Sequence, residues 1–200
     1  MKIIFICVGL MTVTACAGPS QNVQRVSSDT QTDLSGKWND TDAKLTSEAL
    51  IGQCFSAAWL EDFKKDKKRK PVVRVRNIIN KTDEHIDAQV FVKNIERAMV
   101  NSGKAKVVAQ ANAELGDVNA EQDYGASGRV SDTSAPSIGN QTGVDFVIVG
   151  RMASILDQVE GKKAKFYKIT FELINSTSSE KEWIGDHEIK KVITQKSASW

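Results

Sequence analysis

Cysteine is scarce in this chain, and its distribution argues against a disulfide-stabilised domain. Three of the 200 residues are cysteine. Cys7 and Cys16 lie in or directly behind an apolar N-terminal segment with the features of an export signal, so Cys54 has no partner for an internal disulfide. Because Cys54 has apolar neighbours such as Leu50 and Phe55, we predict a buried, unreactive thiol and not a nucleophile.

The sequence also lacks the short motifs of common enzyme classes. No Walker loop, dinucleotide glycine fingerprint or Gly-x-Ser-x-Gly turn occurs. Residues 178–181 fit the Ser-x-x-Lys spacing of penicillin-binding enzymes, but they lie in an expected turn and both companion motifs are missing. Acidic and histidine side chains at 84–87 and 186–188 suit a helix start and an alternating strand better than a metal site. We predict no enzyme, no metal and no cofactor.

Charge of one sign does not dominate the chain. The formal net charge is +2, which is too small to indicate nucleic acid as a partner. The run at residues 64–70 is strongly basic but contains none of the aromatic side chains on which nucleic-acid bases stack. We interpret it as a solvated loop between a helix and a strand; contact with an anionic partner or envelope polymer is the alternative.

Long hydrophobic runs are missing, except for a short one at the N-terminus. Residues 3–13 are apolar, and a helix of this length cannot cross a bilayer core of ~30 Å. The segment therefore indicates a signal peptide over residues 1–15. Residues 13–16, Val-Thr-Ala-Cys, have the pattern of a lipobox, in which Cys16 receives a diacylglyceryl group. An ordinary secretory signal with an incidental cysteine is the alternative.

Behind the signal, the composition changes twice. Residues 16–33 are polar and show no period, so we predict a lipidated, flexible tether. Residues 34–196 have apolar patterning throughout, and they predict one globular domain. A helix is expected from about residue 43 to 64, with Thr41 or Asp42 as its cap.

The stretch from residue 70 to 109 predicts the topology. A β-branched run at 72–79 predicts a strand, and apolar positions at three- and four-residue steps between Ile86 and Met99, Val90 among them, predict a helix. Thr82 or Asp87 is the expected cap of that helix, and residues 102–103, Ser-Gly, its end. A second strand at 106–109 completes a strand–helix–strand crossover, which implies parallel strands.

The remainder predicts one more helix and three strands. We expect a surface helix at 112–124, a loop at 125–143 with a short helical piece at 137–141, and an antiparallel meander. The first strand of the meander is expected at 145–156, buried on both faces. The second is expected at 164–174, with one apolar face formed by Tyr167, Ile169, Phe171 and Leu173. The third is expected at 182–193, with apolar positions at Trp183, Ile189 and Val192. The expected fold is a single α/β domain with a mixed sheet flanked by helices.

Several segments also carry a family resemblance. In chain order they are residues 34–42, 70–75, 80–82, 84–87, 100–104, 143–150 and 183–191. Their order and spacing resemble the LpoB family of penicillin-binding protein activators over residues 34–192. The tether is shorter than in the best-known members of that family.

This resemblance implies a function and a fold. The function is that of a monomeric outer-membrane lipoprotein on the periplasmic side, which binds and stimulates a class A penicillin-binding protein. The fold is of the TolB N-terminal or CsgG-core type. A CsgG-like assembly or secretion scaffold is the alternative, but the long alternating hairpins that a pore requires are not visible.

Arg151 is the residue that we single out for partner binding. It interrupts an otherwise apolar strand, and an unpaired buried guanidinium would be strongly unfavourable. Either a carboxylate pairs with it inside the core, or it points outward from an uncovered part of the sheet. In the outward case, Tyr167 could share that face, and arginine with tyrosine is a pairing enriched at interface hot spots.

Overall fold

The computed structural model describes residues 22–194, except residues 29 and 112. The chain divides into two units, Met1–Thr30 and Gln31–Trp200. Residues 22–28 and 30 of the first unit are exposed and belong to no helix or strand. The expected signal peptide and Cys16 lie outside the described residues. Within the described part, no helix has the length and apolar character needed to cross a membrane.

The second unit contains the helices and strands of the described part. They are α1 (Asp40–Ser56), α2 (Trp59–Lys67), β1 (Val72–Lys81), α3 (Ala88–Ser102), β2 (Lys106–Val107), α4 (Ala113–Tyr124), β3 (Phe146–Val159), β4 (Lys162–Asn175) and β5 (Lys181–Thr194). A π-type turn, Gly125–Arg129, follows α4. Residues 137–141 contain a turn at 138–139 and not the short helix that we expected.

The first helix begins one turn earlier in the chain than the sequence suggested. The Asn39 side chain accepts a hydrogen bond from the Asp42 amide, and the Asp42 carboxylate accepts one from the Asn39 amide, both at 3.0 Å. This capping box satisfies two otherwise unpaired amides. The expected cap, Thr41 or Asp42, is therefore wrong, and Asp42 has the supporting role three residues into the helix.

The expected single helix over residues 43–64 is also wrong, because it breaks after α1. Ala57 is extended, with ψ 153°, and α2 then continues to Lys67. The Trp59 indole N–H donates to the carbonyl oxygen of Cys54 at 2.7 Å, which also accepts a longer hydrogen bond of 3.4 Å from the Ala57 amide at the helix end. The Trp59 ring packs edge-on against Phe146 of β3, with centroids 5.0 Å apart. Half of the basic run at 64–70 is thus helical rather than loop.

The crossover predicted from residues 70–109 is confirmed. β1 and β2 are parallel, and α3 connects them. The Asp87 carboxylate accepts from the Gln89 amide at 2.9 Å, and Gly103 ends the helix with φ 64°, a conformation that glycine adopts without a steric penalty. Val90 is exposed on α3, which corrects its assignment to the buried face.

The five strands form one mixed sheet in the order β2-β1-β3-β4-β5. β3 runs parallel to β1, and β3, β4 and β5 form the antiparallel meander. The single α/β domain with a mixed sheet flanked by helices is therefore confirmed. β3 is not buried on both faces as expected: its burial alternates along the first half and gives way to exposure in the second. Val192 on β5 is exposed too.

The core lies between the helices and one face of the sheet, which we call the inner face. Tyr167, Ile169, Phe171 and Leu173 of β4 are fully buried there, as their alternation predicted. Phe91 of α3 packs against Phe171 with ring centroids 5.7 Å apart. Burial of aromatic and aliphatic side chains on this scale is the main stabilising contribution to such a fold.

Candidate functional site

The opposite side of the sheet, which we call the outer face, carries exposed side chains from four strands. Because side chains alternate along a strand, the neighbours of the buried inner-face residues point to this side. Exposed aliphatic residues occur on β1, β3 and β5 of this face. They include Ile79 (56% exposed), Ile155 (65%), Val159 (71%), Ile184 (56%) and Val192 (69%). These side chains show that the outer face is solvent-exposed, but single exposed aliphatic residues do not by themselves identify a binding site.

Arg151 lies on the outer face of β3. Its neighbours Gly150 and Met152 are buried and face inward, whereas Arg151 is exposed. In the register of the sheet, it lies between Ile79 of β1 and Thr170 of β4. Among the residues that the structure describes, none forms a hydrogen bond or ion pair with its guanidinium. Of the two arrangements that the sequence left open, the outward one is therefore observed.

Tyr167 does not share that face, which corrects our expectation. It is fully buried on the inner face, where its hydroxyl donates to Glu84 Oε1 at 2.8 Å and lies 3.2 Å from the carbonyl oxygen of Gly36. Its ring contacts Trp38 edge-on, with centroids 5.6 Å apart. Burial, together with the Glu84 carboxylate, raises the pKa of Tyr167. Tyr167 is thus part of the core and cannot contact a partner while the domain is folded.

Glu84 and Lys165 form a buried ion pair beside Tyr167. The Lys165 ammonium lies 2.5 Å from Glu84 Oε1 and 2.7 Å from Asp83 Oδ1, and the Lys165 and Glu84 side chains are 8% and 10% exposed. The other Glu84 oxygen accepts from the backbone amide of Trp38 at 2.9 Å. Three donors thus satisfy the buried carboxylate, as a buried charge requires.

These contacts shift the pKa values of Glu84, Lys165 and Asp83. Burial disfavours the charged forms of Glu84 and Lys165, but their mutual hydrogen bonds and their other partners prevail. They lower the pKa of Glu84 and raise the pKa of Lys165. At the exposed edge of the cluster, hydrogen bonds from Lys165 and Ser154 lower the pKa of Asp83 to about 2. At neutral pH, two carboxylates and one ammonium are therefore charged.

A second ion-pair cluster fixes the beginning of the folded unit. Lys191 of β5 lies 2.6 Å from Asp42 and 3.0 Å from Asp33, and its ammonium donates to the carbonyl oxygen of Lys37 at 3.0 Å. Asp33 also accepts from the Asn39 side chain at 2.7 Å. Residues 33–39 are therefore held against the sheet by side chains from β4 and β5.

An open groove of about 990 Å³ lies beside these residues. Trp38, Val90 and Leu156 are among its apolar lining residues, and Asp83, Glu84 and Lys165 are among its charged ones. Because these three charged groups already satisfy one another, their geometry is that of a structural cluster rather than an acid–base pair awaiting a substrate.

Cys54, the Ser-x-x-Lys segment at 178–181 and the acidic and histidine side chains are the remaining candidates from the sequence, and none of them forms a reactive site among the described residues. Cys54 is buried, as predicted, and burial raises the pKa of its thiol to about 12, which favours the protonated, unreactive form. Ser178 and Lys181 do not pair, because Ser178 hydrogen-bonds Glu180 and Lys181 hydrogen-bonds Glu172. In residues 22–194, omitting 29 and 112, no three His, Cys, Asp or Glu side chains are grouped so that they could hold a metal ion.

Sequence reasoning missed the buried pair, although a signal was present. Lys165 is two residues from Tyr167 and so shares its face of β4, which makes it a lysine in an otherwise apolar row. Such a lysine requires a buried carboxylate. What the pattern could not supply was the identity of that carboxylate, because Glu84 is 81 residues away in the chain.

A sheet packed on one face and solvated on the other is common where strands are antiparallel, so the fold alone does not define a functional class. The comparison of the sequence with protein families gives the particular class. The chain belongs to the LpoB family: the family described as "Peptidoglycan-synthase activator LpoB" matches residues 42–189.

Solved structures to which the chain is similar include the LpoB C-terminal domains of Salmonella enterica (16% identity, TM-score 0.45) and Escherichia coli (15% identity, TM-score 0.47). Each match covers 75% of this chain and 99% of the other chain. The lipoprotein GNA1162 from Neisseria meningitidis is 12% identical, with a TM-score of 0.41, over 61% of this chain and 83% of its own. No curated protein matches the chain in sequence.

Proposed function

We propose that this chain is a lipid-anchored periplasmic regulator that binds a class A penicillin-binding protein and stimulates its synthesis of peptidoglycan. The observation that carries the proposal is the family match over residues 42–189, which spans the folded unit from the first turn of α1 into β5. The family description names the activation of peptidoglycan synthases. The synthase class and the lipid anchor are our additions.

An activator of this kind works through binding alone. It shifts an enzyme toward its active conformation only if it binds that conformation more tightly than the inactive one. The surface that makes this distinction has to be accessible, and the outer face of the sheet meets that requirement. We propose that Arg151, exposed and without an internal partner, contacts the synthase.

The anchor is proposed at Cys16. Replacing Cys16 by alanine is expected to abolish lipid attachment and to move the protein from the outer-membrane fraction to the soluble periplasmic fraction. Labelling with a radioactive or clickable fatty acid checks the modification directly. Unchanged labelling and fractionation of the variant would contradict the anchor but not the binding function.

The binding function is tested with the folded unit alone. Residues 31–200 are the appropriate segment, because removal of Asp33 would delete one carboxylate of the Lys191 cluster. We expect this domain to bind a purified class A penicillin-binding protein and to accelerate its glycan polymerisation. Its mass in solution is expected to be that of a monomer. A large ring would favour the assembly scaffold, and absence of both binding and stimulation at low salt would refute the activator.

A further inference from the structure

The outer face consists of two halves, β1 with β3 and β4 with β5, that differ in how many of their charges are paired within the sheet. In the β4–β5 half, Lys162 and Lys190 are exposed and have no ion-pair partner among the described residues, whereas the charges in the middle of these strands are paired. On β4 and β5, Lys168 pairs with Glu188 at 2.9 Å and with Asp186 at 3.5 Å. Lys181 pairs with Glu172 at 2.9 Å in the same half. Cross-strand pairs of this kind neutralise each other within the sheet.

The half formed by β1 and β3 carries cations without such partners. Arg76, Lys81 and Arg151 are exposed, and among the described residues none forms a hydrogen bond or ion pair with their side chains. Arg76 belongs to a bulge in β1 opposite β3. Its neighbour Asn77 accepts from Gln89 of α3 at 2.9 Å, whereas Arg76 is exposed and makes no such contact.

Exposed aliphatic side chains lie among these cations. Ile79 is directly opposite Arg151 in the register of β1 and β3, and Lys81 is opposite Ala153. Ile155 follows two residues later on β3, on the same face. We call the set Arg76, Ile79, Lys81, Arg151 and Ile155 the β1–β3 seam. It extends roughly 15 Å along β1 at about 3.3 Å per residue.

We propose that the β1–β3 seam is the docking surface of this protein and that it fits a partner protein presenting carboxylates around an apolar centre. This proposal rests on the proposed function and specifies the chemistry of the synthase surface. Cations that have no internal partner keep their charge available for an acidic surface, which steers association and fixes orientation. The aliphatic side chains between them supply the apolar contact that a stable interface requires.

Two other occupants fit the seam less well. A second copy of the same face would bring cations against cations, which is unfavourable at an interface. A uniformly polar polyanion would be attracted by the charges but would leave Ile79 (56% exposed) and Ile155 (65% exposed) without an apolar counterpart. A protein surface that combines carboxylates with aliphatic groups complements both features.

The test compares two lysines on the same face. Lys81 lies in the seam. Lys190 of β5 is likewise exposed and has no ion-pair partner among the described residues, but it lies three strands away from β1, about 14 Å across the sheet, and two strands, about 10 Å, from Ile155. Lys81→Glu and Lys190→Glu change the charge by the same amount. Each variant of the domain from residue 31 to 200 is titrated against a purified class A penicillin-binding protein by isothermal calorimetry or biolayer interferometry.

We expect Lys81→Glu to weaken binding at least tenfold at 0.1 M salt and Lys190→Glu to change it less than threefold. The difference should shrink at 1 M salt, because the screening length falls from about 10 Å to about 3 Å. Lys81→Gln, which removes the charge without reversing it, should have an intermediate effect. Melting temperatures of all variants should stay within about 2 °C of the wild type, since exposed substitutions rarely alter stability.

The outcomes separate this inference from the proposed function. Failure of the wild-type domain to bind would refute the activator function and the docking surface with it. Binding by the wild type with equal effects of Lys81→Glu and Lys190→Glu would refute the seam alone. Loss of binding to purified peptidoglycan sacculi, with synthase binding unchanged, would assign the seam to the polymer and overturn the protein partner.

Discussion

Lys165 and Arg151 are cations on neighbouring strands, but they lie on opposite faces of the sheet. Lys165 is buried on the inner face, with Glu84 and Asp83 within 2.7 Å of its ammonium. Arg151 is exposed on the outer face, and the described residues provide no carboxylate for it. A buried charge needs its partners inside the domain, because desolvation would otherwise outweigh its attractions. A solvated charge needs no partner inside the domain, so it remains available to bind a group on another molecule.

The contrast implies that the inner face of the sheet stabilises the fold and that the outer face is free to bind a partner. Substitutions on the inner face should change the free energy of unfolding, whereas substitutions on the outer face should change affinity. The four predictions below test this division, beginning with the largest expected effect.

Replacing Tyr167 by alanine should give the largest loss of stability. The side chain is fully buried, and truncation of a buried aromatic residue typically lowers the free energy of unfolding by about 4 kcal/mol. Chemical denaturation followed by tryptophan fluorescence measures this change. Tyr167→Phe keeps the ring but removes the hydrogen bond to Glu84, so it should lose only about 1–2 kcal/mol. A Tyr167→Ala domain as stable as the wild type would contradict the inner-face assignment.

Replacing Lys165 by methionine should have the next largest effect. The substitution keeps an unbranched chain but leaves the Glu84 carboxylate, 10% exposed, without its cation. We expect a loss of about 3 kcal/mol, since removal of one partner from a buried ion pair is strongly destabilising. The matched control is Lys168→Met on the other face of β4, where an exposed pair contributes at most about 1 kcal/mol. Similar losses for both variants would refute the distinction between the faces.

The same cluster should make the domain sensitive to acid. Hydrogen bonds hold the folded-state pKa of Asp83 at about 2, below its ordinary value of about 3.9, and the pKa of Glu84 is lowered as well. Carboxylates with lowered pKa values contribute stability above their unfolded pKa and lose it as the pH falls through the folded one. The free energy of unfolding should therefore decline from about pH 5 to pH 2.

Denaturation at a series of pH values checks this prediction. Asp83→Asn removes one titrating group, so the slope of the decline should be smaller than in the wild type. Identical slopes for the two proteins would show that Asp83 does not contribute to the acid sensitivity.

Local patterns predicted those parts of the fold that depend on neighbouring residues. The α3 helix, its Asp87 cap and its Gly103 end all follow from a few adjacent positions. The break after α1 does not, because Ala57 is a good helix former and the break involves contacts of Trp59 with Cys54 and with the distant Phe146. The spacing of apolar residues along 43–64 continues through Ala57 and gives no sign of the break.

The two faces were predictable in part. Tyr167 has the same parity on β4 as Ile169, Phe171 and Leu173, so the apolar row itself indicated burial. Our pairing of Tyr167 with Arg151 disregarded that signal. The side on which Arg151 lies could not be predicted, because β3 is apolar on both faces along its first half and the packing of distant helices determines which face is covered.

The most direct test of this account is to measure the stability and the affinity of Arg151→Ala on the same purified domain. We expect a melting temperature within about 2 °C of the wild type, since the side chain is exposed and has no internal partner. We expect binding to a class A penicillin-binding protein to weaken by about 2 kcal/mol, or roughly 30-fold, as for an arginine at the centre of an interface. A loss of several kcal/mol of unfolding free energy would assign Arg151 to the core. Unchanged stability with unchanged affinity would remove Arg151 from the interface and contradict the proposed role of the outer face.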